Sequence, residues 1–427
     1  MMQGYPAYKD SGFGWLGEIP SHWKTQRVKY LFREIDERSK EGEETLLSVS
    51  QYTGVTVRSS HNNSRESESL EGYKVCHPDD FVSNIMLAWM GAFGVTSHHG
   101  IVSPAYCVYR LKGDNNPKYF DYLFHTPRYL AEFARNSTGI ISSRWRLYTD
   151  DFFRIFSLLP PREEQDAIVA FLEEQTAVIN QFLTNKRRLI ELLEEQKQVV
   201  INTAVTQGLD TAVPRKPSGI DWLGDIPAHW RKSRIKFISE ILRGKFSHRP
   251  RNDPAFYDGE YPFIQTGNVS GARKYITEYQ QTLNEKGFNV SKMFPKGTLV
   301  MTIAANIGDM AILDFDACFP DSIVGFVPHE GIYLDFLYYL LRSMKQEFLK
   351  TAPVNTQMNL NIERVGSFAV FVPPHSEQMQ ITEYIEAKVE EINAAIERTQ
   401  REIELIEEYR TTLIAHAVTG KIDVRAQ

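Results

Sequence analysis

Cysteine is scarce in this chain: 427 residues carry only Cys76, Cys107 and Cys318. None has disulfide or metal spacing, so a disulfide-stapled secreted scaffold and a zinc module are both excluded, and small buried thiols in a reducing compartment are expected. No apolar run approaches the roughly 20 residues that a membrane span needs. Met1–Gly17 lacks a basic-then-apolar signal organisation, so cytoplasmic residence is expected. The motifs of the common catalysts are also missing. There is no Gly-x-x-x-x-Gly-Lys-Ser/Thr loop to wrap a phosphate. The two Pro-Pro pairs follow Leu159 and Val372, which cannot hydrogen-bond an exocyclic amine as an amino-methyltransferase requires. A nuclease-like Glu386-Ala387-Lys388 falls inside a helical stretch without a paired upstream acid. His98-His99, His22 and His229 lack neighbouring ligands at metal spacing.

What the chain does hold, it holds twice. Trp15-Leu16-Gly17-Glu18-Ile19-Pro20-Ser21-His22-Trp23 returns as Trp222-Leu223-Gly224-Asp225-Ile226-Pro227-Ala228-His229-Trp230, with seven of nine positions identical. Leu159-Pro160-Pro161 with Glu164-Gln165 returns as Val372-Pro373-Pro374 with Glu377-Gln378, and Ala204-Val205-Thr206 as Ala417-Val418-Thr419. The repeated His residues are expected to pack or cap beside Trp23 and Trp230. Between the matched ends, residues 24–158 and 231–371 are poorly alike. A tandem duplication has kept its frame and changed what the frame holds.

Each repeated tail has the steps of three and four of a coiled coil. Ile168, Leu172, Gln175, Ile179, Phe182, Lys186, Leu189, Leu193, Gln196 and Val200 mark one seam; Ile385, Val389, Ile392, Ile396, Thr399, Ile403, Ile406, Arg410 and Leu413 mark the other. Gly208 and Gly420 supply the stops. Two stripes joined through a folded domain predict an antiparallel pair. The variable regions show short strand patterns separated by turns. Thr45–Val57, Phe81–Met90 and Ala105–Leu111 are strand candidates in the first, with a helix over Lys118–Ala134. In the second they are Tyr261–Gln265, Gly297–Ile303, Met310–Leu313 and Ile323–Val327, with a helix over Leu334–Leu349. The expected fold is α+β with a pseudo-twofold internal repeat: two mixed domains separated by two long antiparallel coiled-coil helices. Its segments are residues 1–158, 159–210, 211–371 and 372–427.

A net charge of −6 hides a partition. Residues 24–158 carry 17 Lys and Arg against 16 Asp and Glu, and residues 231–371 carry 17 against 14. The tails are acidic, with 5 against 9 in residues 159–210 and 6 against 11 in residues 372–427. Cations concentrate in Arg231–Arg251, where eight Lys and Arg face one acid, Glu240. Arg243, Lys245, Ser247, Arg249 and Arg251 therefore suggest a flexible basic loop that tracks a nucleic-acid backbone. Gln265, Thr266 and Asn268, and Asn355, Gln357 and Asn359, are candidate base readers, since Asn and Gln pair bidentately with adenine and Arg with guanine. Gln51, Tyr52, Arg58, Trp89, Arg144 and Arg146 hold the corresponding places in the first copy. Arg144 aligns with Gln357 across the repeat, so one position would present different readers.

This combination resembles the specificity (S) subunits of Type I restriction-modification systems, which carry a Leu/Val-Pro-Pro-x-x-Glu-Gln tract at each repeated helix and a Trp-Leu-Gly-x-Ile-Pro-x-x-Trp tract before each target recognition domain. The resemblance covers essentially the whole chain. It implies a non-catalytic reader of double-stranded DNA, with one domain on each half of an interrupted, asymmetric site and the helices setting the gap. It also implies docking of two methylation (M) subunits that bind S-adenosylmethionine, and two restriction (R) subunits that use ATP and Mg, with no cofactor and no metal held by this chain. Two rival readings share the sequence features: a coiled-coil interaction scaffold that reads no DNA, and a fused DNA-modifying enzyme.

Overall fold

The computed structural model describes residues 3–58, 69–141, 144–220, 222–249, 251–304, 306–351 and 360–426. The chain divides into two compact units, Met1–Arg187 with Gln400–Gln427, and Arg188–Thr399. Two long helices, the central Arg162–Gln207 and the C-terminal His375–Val418, each contribute to both units.

The two units share one plan despite their unlike sequences. In the first, an antiparallel sheet runs in the order Phe32–Ile35, Tyr106–Leu111, Phe81–Asn84, Phe93–Val95. In the second, the order is Ser239–Arg243, Ile323–Pro328, Leu299–Thr302, Met310–Leu313, with the short strand Tyr275–Ile276 added in parallel at the far edge. Lys24–Arg27 pairs with Phe156–Leu159 just before the central helix, and Arg231–Arg234 pairs with Ala369–Val372 just before the C-terminal one. The two strand–helix junctions are thus built alike.

Several sequence expectations shift in detail. Thr45–Val57 is a hairpin, Leu47–Ser50 against Gly54–Val57, with Gln51 and Tyr52 in its turn. Phe81–Met90 is a strand followed by a single helical turn, Ala88–Met90. The helices expected over Lys118–Ala134 and Leu334–Leu349 are each broken in two: Pro117–Phe124 and Pro127–Asn136, and Leu334–Ser343 and Lys345–Thr351. Pro127 accounts for the first break, because it has no N–H to continue the helix and suits the first turn of a new one.

The repeated tracts find their purpose in a buried latch. The Glu164 carboxylate, at the start of the central helix, accepts from the Trp23 indole at 3.0 Å and lies 2.8 Å from His22 Nε2. Glu377 does the same for Trp230 at 3.0 Å and His229 at 2.8 Å in the second unit. The following Gln completes each junction. Gln165 accepts from the Asn116 backbone N–H and donates to the Pro160 carbonyl; Gln378 accepts from Tyr333 and donates to Pro373 and Gly331. Trp23, Trp230, Gln165 and Gln378 are all fully or almost fully buried, and a buried polar group needs such partners. The Trp–His and Glu–Gln tracts are therefore two halves of one joint, made once in each unit.

The first latch is the tighter. Tyr5 donates to Glu164, and Arg425, itself paired with Asp423 at 2.8 Å, lies 3.7 Å from the same carboxylate. Burial, reinforced by Glu164, raises the Tyr5 phenol well above its ordinary range, so it stays a donor. The aromatic core of this unit stacks beside it: Phe32, Phe81, Phe120, Phe124 and Phe152 pack edge-on or tilted at centroid distances of 5.4–6.3 Å. In the second unit, Ile201, Ala204 and Val205 of the central helix and Ile381 and Ile385 of the C-terminal helix join the sheet residues Leu299, Met301, Val324 and Phe326 in one core. Burial pushes the Cys76 thiol up to about 12 and raises that of Cys318.

Within each unit the helix pair is antiparallel. In the first, Asn180 meets Arg410 at 3.0 Å and Arg187 meets Glu407 at 2.8 Å; in the second, Lys197 donates to Asn393 at 3.2 Å. The C-terminal seam follows the expected residues, with Ile385, Ile392, Thr399, Ile403 and Leu413 buried. The central seam is displaced by one residue at alternate positions. Leu183 is buried while Phe182 is exposed, and Ile190 and Lys197 turn inward while Leu189 and Gln196 turn out. Apolar residues adjoin each other there, so steps of three-then-four and four-then-three fit the sequence equally well. Lys186, paired with Glu402 at 2.6 Å, sits in this seam. Both helices stop where expected, at Gly208 (φ +72°) and Gly420 (φ +70°), which close the ends in the left-handed conformation.

Candidate nucleic-acid interface

In the second unit the segment expected as a flexible basic loop is instead anchored. Lys245 N–H donates to Phe319 at 2.9 Å, Ser247 N–H to Val290 at 3.1 Å, and the Ser291 hydroxyl to the Lys245 carbonyl at 2.7 Å. These bonds hold the backbone extended, so side chains alternate: Arg243, Lys245 and Ser247 face solvent while Gly244 and Phe246 face the core. Phe246 packs on Phe263 and Tyr257, which explains the order. Backbone pinning turns the start of the segment into a ridge that carries Arg243, Lys245 and Ser247 outward.

The four cations are not equivalent. Arg249 pairs with Asp321 at 3.2 Å and donates to the carbonyls of Phe246 and His248, while Arg251 pairs with the same carboxylate. One aspartate therefore offsets part of the charge of both. Arg243 and Lys245 are exposed and make no ion pair among the described residues. Lys274, another cation of this unit, is committed elsewhere. Burial would lower its pKa, yet hydrogen bonds to Asp335 and Glu386 outweigh that and raise it.

Gln265 and the one-turn helix Thr266–Gly271 lie on the same support as the ridge. Ile264 N–H donates to the Cys318 carbonyl at 2.8 Å and Lys245 N–H to that of the next residue, Phe319, so the two tracts flank the 318–321 segment. Asn268 accepts from the Gln265 N–H at 2.9 Å and donates to Gln280 at 2.5 Å, and Gln265 donates to Gln281. Gln280 and Gln281, which the sequence reading missed, thus complete an exposed amide cluster with the donor and acceptor edges that adenine recognition uses. Thr266 is half-buried beside it. Asn355, Gln357 and Asn359 lie outside the described residues.

In the first unit, Tyr52 stands at the tip of the 47–57 hairpin, 86 % exposed, with Gln51 half-buried beside it. Arg58 is exposed at the end of the same hairpin, its N–H bonded to Leu46. The hairpin packs against the Phe93–Val95 edge strand. Tyr52 also borders a cleft of about 460 Å³ with Asp121, His125, Asn180 and Arg410. Asp121, 3.2 Å from His125 Nδ1, keeps that imidazole more basic than usual despite its burial. A second group forms around two tryptophans. Trp89 and Trp145 meet edge to face at 5.2 Å, with Arg144 exposed and Arg146 half-buried alongside. Predicted readers therefore gather in two sets, a hairpin tip and a Trp–Arg corner.

Among the described residues no group of three or more His, Cys, Asp or Glu is arranged to hold a metal, and no helix is long and apolar enough to cross a membrane. Both units instead present ordered basic, amide and aromatic groups on a shared scaffold.

Comparison with known proteins bears directly on this arrangement. Residues 227–405 match the family model described as the Type I restriction modification DNA specificity domain. Over 452 aligned positions, 98 % of each chain, the protein is 21 % identical to the putative Type I restriction enzyme MjaX specificity subunit of Methanocaldococcus jannaschii. The chain is thus similar to Type I restriction enzyme specificity subunits, over its whole length in that relative and over residues 227–405 in the family model. The MjaIX specificity subunit of the same organism is 27 % identical over 132 residues, a match spanning 30 % of this chain and 30 % of that relative. The fold agrees. A chain solved in a study of the assembly and conformational transition of a Type I restriction-modification system superposes with a TM-score of 0.71 at 16 % identity, covering 94 % of this chain and 98 % of that one.

Proposed function

We propose that this chain is a Type I specificity subunit that reads a bipartite, asymmetric DNA site, one half through each unit's variable domain, and itself catalyses no reaction. The observation that carries this reading is the duplicated latch. Glu164–His22–Trp23 and Glu377–His229–Trp230 have matching distances, while the surfaces they support differ: a Tyr52 tip and a Trp–Arg corner in one unit, a cationic ridge and an amide cluster in the other. A conserved mount with unequal reading surfaces gives unequal half-sites. The long helices serve as the spacer between half-sites and as the docking surface for two methylation and two restriction subunits. Those partners bring S-adenosylmethionine, ATP and Mg, and the assembly works in the cytoplasm. Exposed apolar residues on the helices, among them Val178, Leu192, Val199 and Leu405, are consistent with such docking.

Long-read mapping of methylated adenines in a host that expresses this chain with its methylation partner tests the reading. The expected motif has two different specified halves around a fixed unspecified gap. A continuous motif, or two identical halves, would overturn it.

A further inference from the structure

The most exposed apolar side chain of the first unit is not one of the predicted readers. Ile140 is 97 % and its neighbour Ile141 54 % exposed, just beyond the paired residues Thr138 and Arg146. The turn is held at its base. Thr138 and Arg146 exchange backbone hydrogen bonds of 2.9 Å, Arg144 N–H reaches Ile141 at 2.8 Å, and Leu147 N–H is bonded to Ile85 at 2.9 Å. Gly139, at φ +154°, makes the closure possible, since a Cβ there would meet the Arg144 carbonyl oxygen at 2.5 Å. Trp145 packs edge-on against Trp89, whose indole donates to Met86 at 3.3 Å. Apolar side chains have thus been placed in water on a braced support, at a cost that folding does not recover.

The surroundings say what covers them. From Arg135 to Thr149 there are three arginines and no acid, and Arg144 makes no ion pair among the described residues. Two isoleucines standing clear of the surface are narrower than the broad flat patches that mark protein interfaces. An apolar wedge flanked by arginines matches the way proteins enter the minor groove, where Ile, Leu or Phe unstacks a base step and Arg binds the adjacent phosphates and the narrowed groove. Building on the proposal that this unit reads DNA, we infer that Ile140 and Ile141 insert at a base step of its half-site and kink the duplex there. Specificity would then include a preference for an easily unstacked pyrimidine–purine step that no side chain hydrogen-bonds.

The test uses the full chain and 30-base-pair duplexes retained by the wild type from a randomised pool, with a donor and an acceptor dye at opposite ends. Wild-type binding is expected to raise energy transfer as the ends approach. The Ile140→Ala/Ile141→Ala variant is expected to bind at least about ten-fold more weakly and leave transfer at its free-duplex value, with Ile140→Leu/Ile141→Leu restoring both. A bound but straight duplex under the wild type, or a kink that survives the alanine changes, overturns the wedge while DNA reading stands. An alanine variant that bends DNA normally but no longer co-purifies with the methylation partner would make the tip a protein contact and also overturn it. Failure of the wild type to retain any duplex removes DNA reading itself, and the wedge with it.

Discussion

At the residue scale the account turns on which groups are free and which are committed. Among the described residues Arg243 and Lys245 make no ion pair and sit on a pinned backbone, whereas Asp321 holds Arg249 and Arg251. Each phosphate contact contributes about 0.9 to the slope of log affinity against log salt. The Arg243→Ala/Lys245→Ala double variant should therefore reduce that slope by roughly 2 in anisotropy titrations across salt, and Arg249→Ala/Arg251→Ala should change it less. Equal effects would mean that Asp321 releases its arginines on binding. The latch residues differ in the same manner. Glu164 is 3 % exposed and serves Tyr5, His22 and Trp23, whereas Glu377 is 23 % exposed with two partners. Glu164→Leu leaves more buried donors unsatisfied and should cost about 2–4 kcal/mol, with Glu377→Leu nearer about 1–2. Hydrogen-exchange protection in the matching unit measures each loss. The repeated histidines were visible in the sequence as partners of a neighbouring Trp, but their shared Glu lies more than a hundred residues away and no local pattern joins the two tracts.

At the element scale, periodicity sufficed for the existence, ends and antiparallel pairing of the long helices, because Ile and Leu recur there over many turns. It left the inward face of the central helix open between Phe182 and Leu183, since adjacent apolar residues satisfy two registers and only the partner's shape chooses. Leu183→Ala should accordingly cost about 2–4 kcal/mol and Phe182→Ala less than about 1, read from urea unfolding of the helix pair. The reverse order would restore the register expected from sequence. Short strands were recognisable by composition, whereas their common order in both units was not, because pairing between distant segments depends on the whole core. The basic segment 243–251 shows the same limit. Its turn formers and charge suggested a mobile loop, but Phe246 and the bonds to Phe319 and Val290 anchor it.

At the scale of the whole molecule, a net charge of −6 is compatible with the proposed DNA reading, because the acid is concentrated in the duplicated tails and the spare cations sit on the variable domains. Duplication and fold class were both readable from the repeated tracts. The proposed contact residues were less so: Gln280, Gln281 and Ile140 gain meaning only from the segments folded against them. The claim beneath all of this is modular, a repeated mount that carries independent readers. Exchange of residues 231–371 for the corresponding region of another specificity subunit, followed by mapping of methylated adenines, tests it most directly. One half of the motif should change while the other half and the gap between them stay as they were; a motif altered in both halves, or in its gap, would contradict the account.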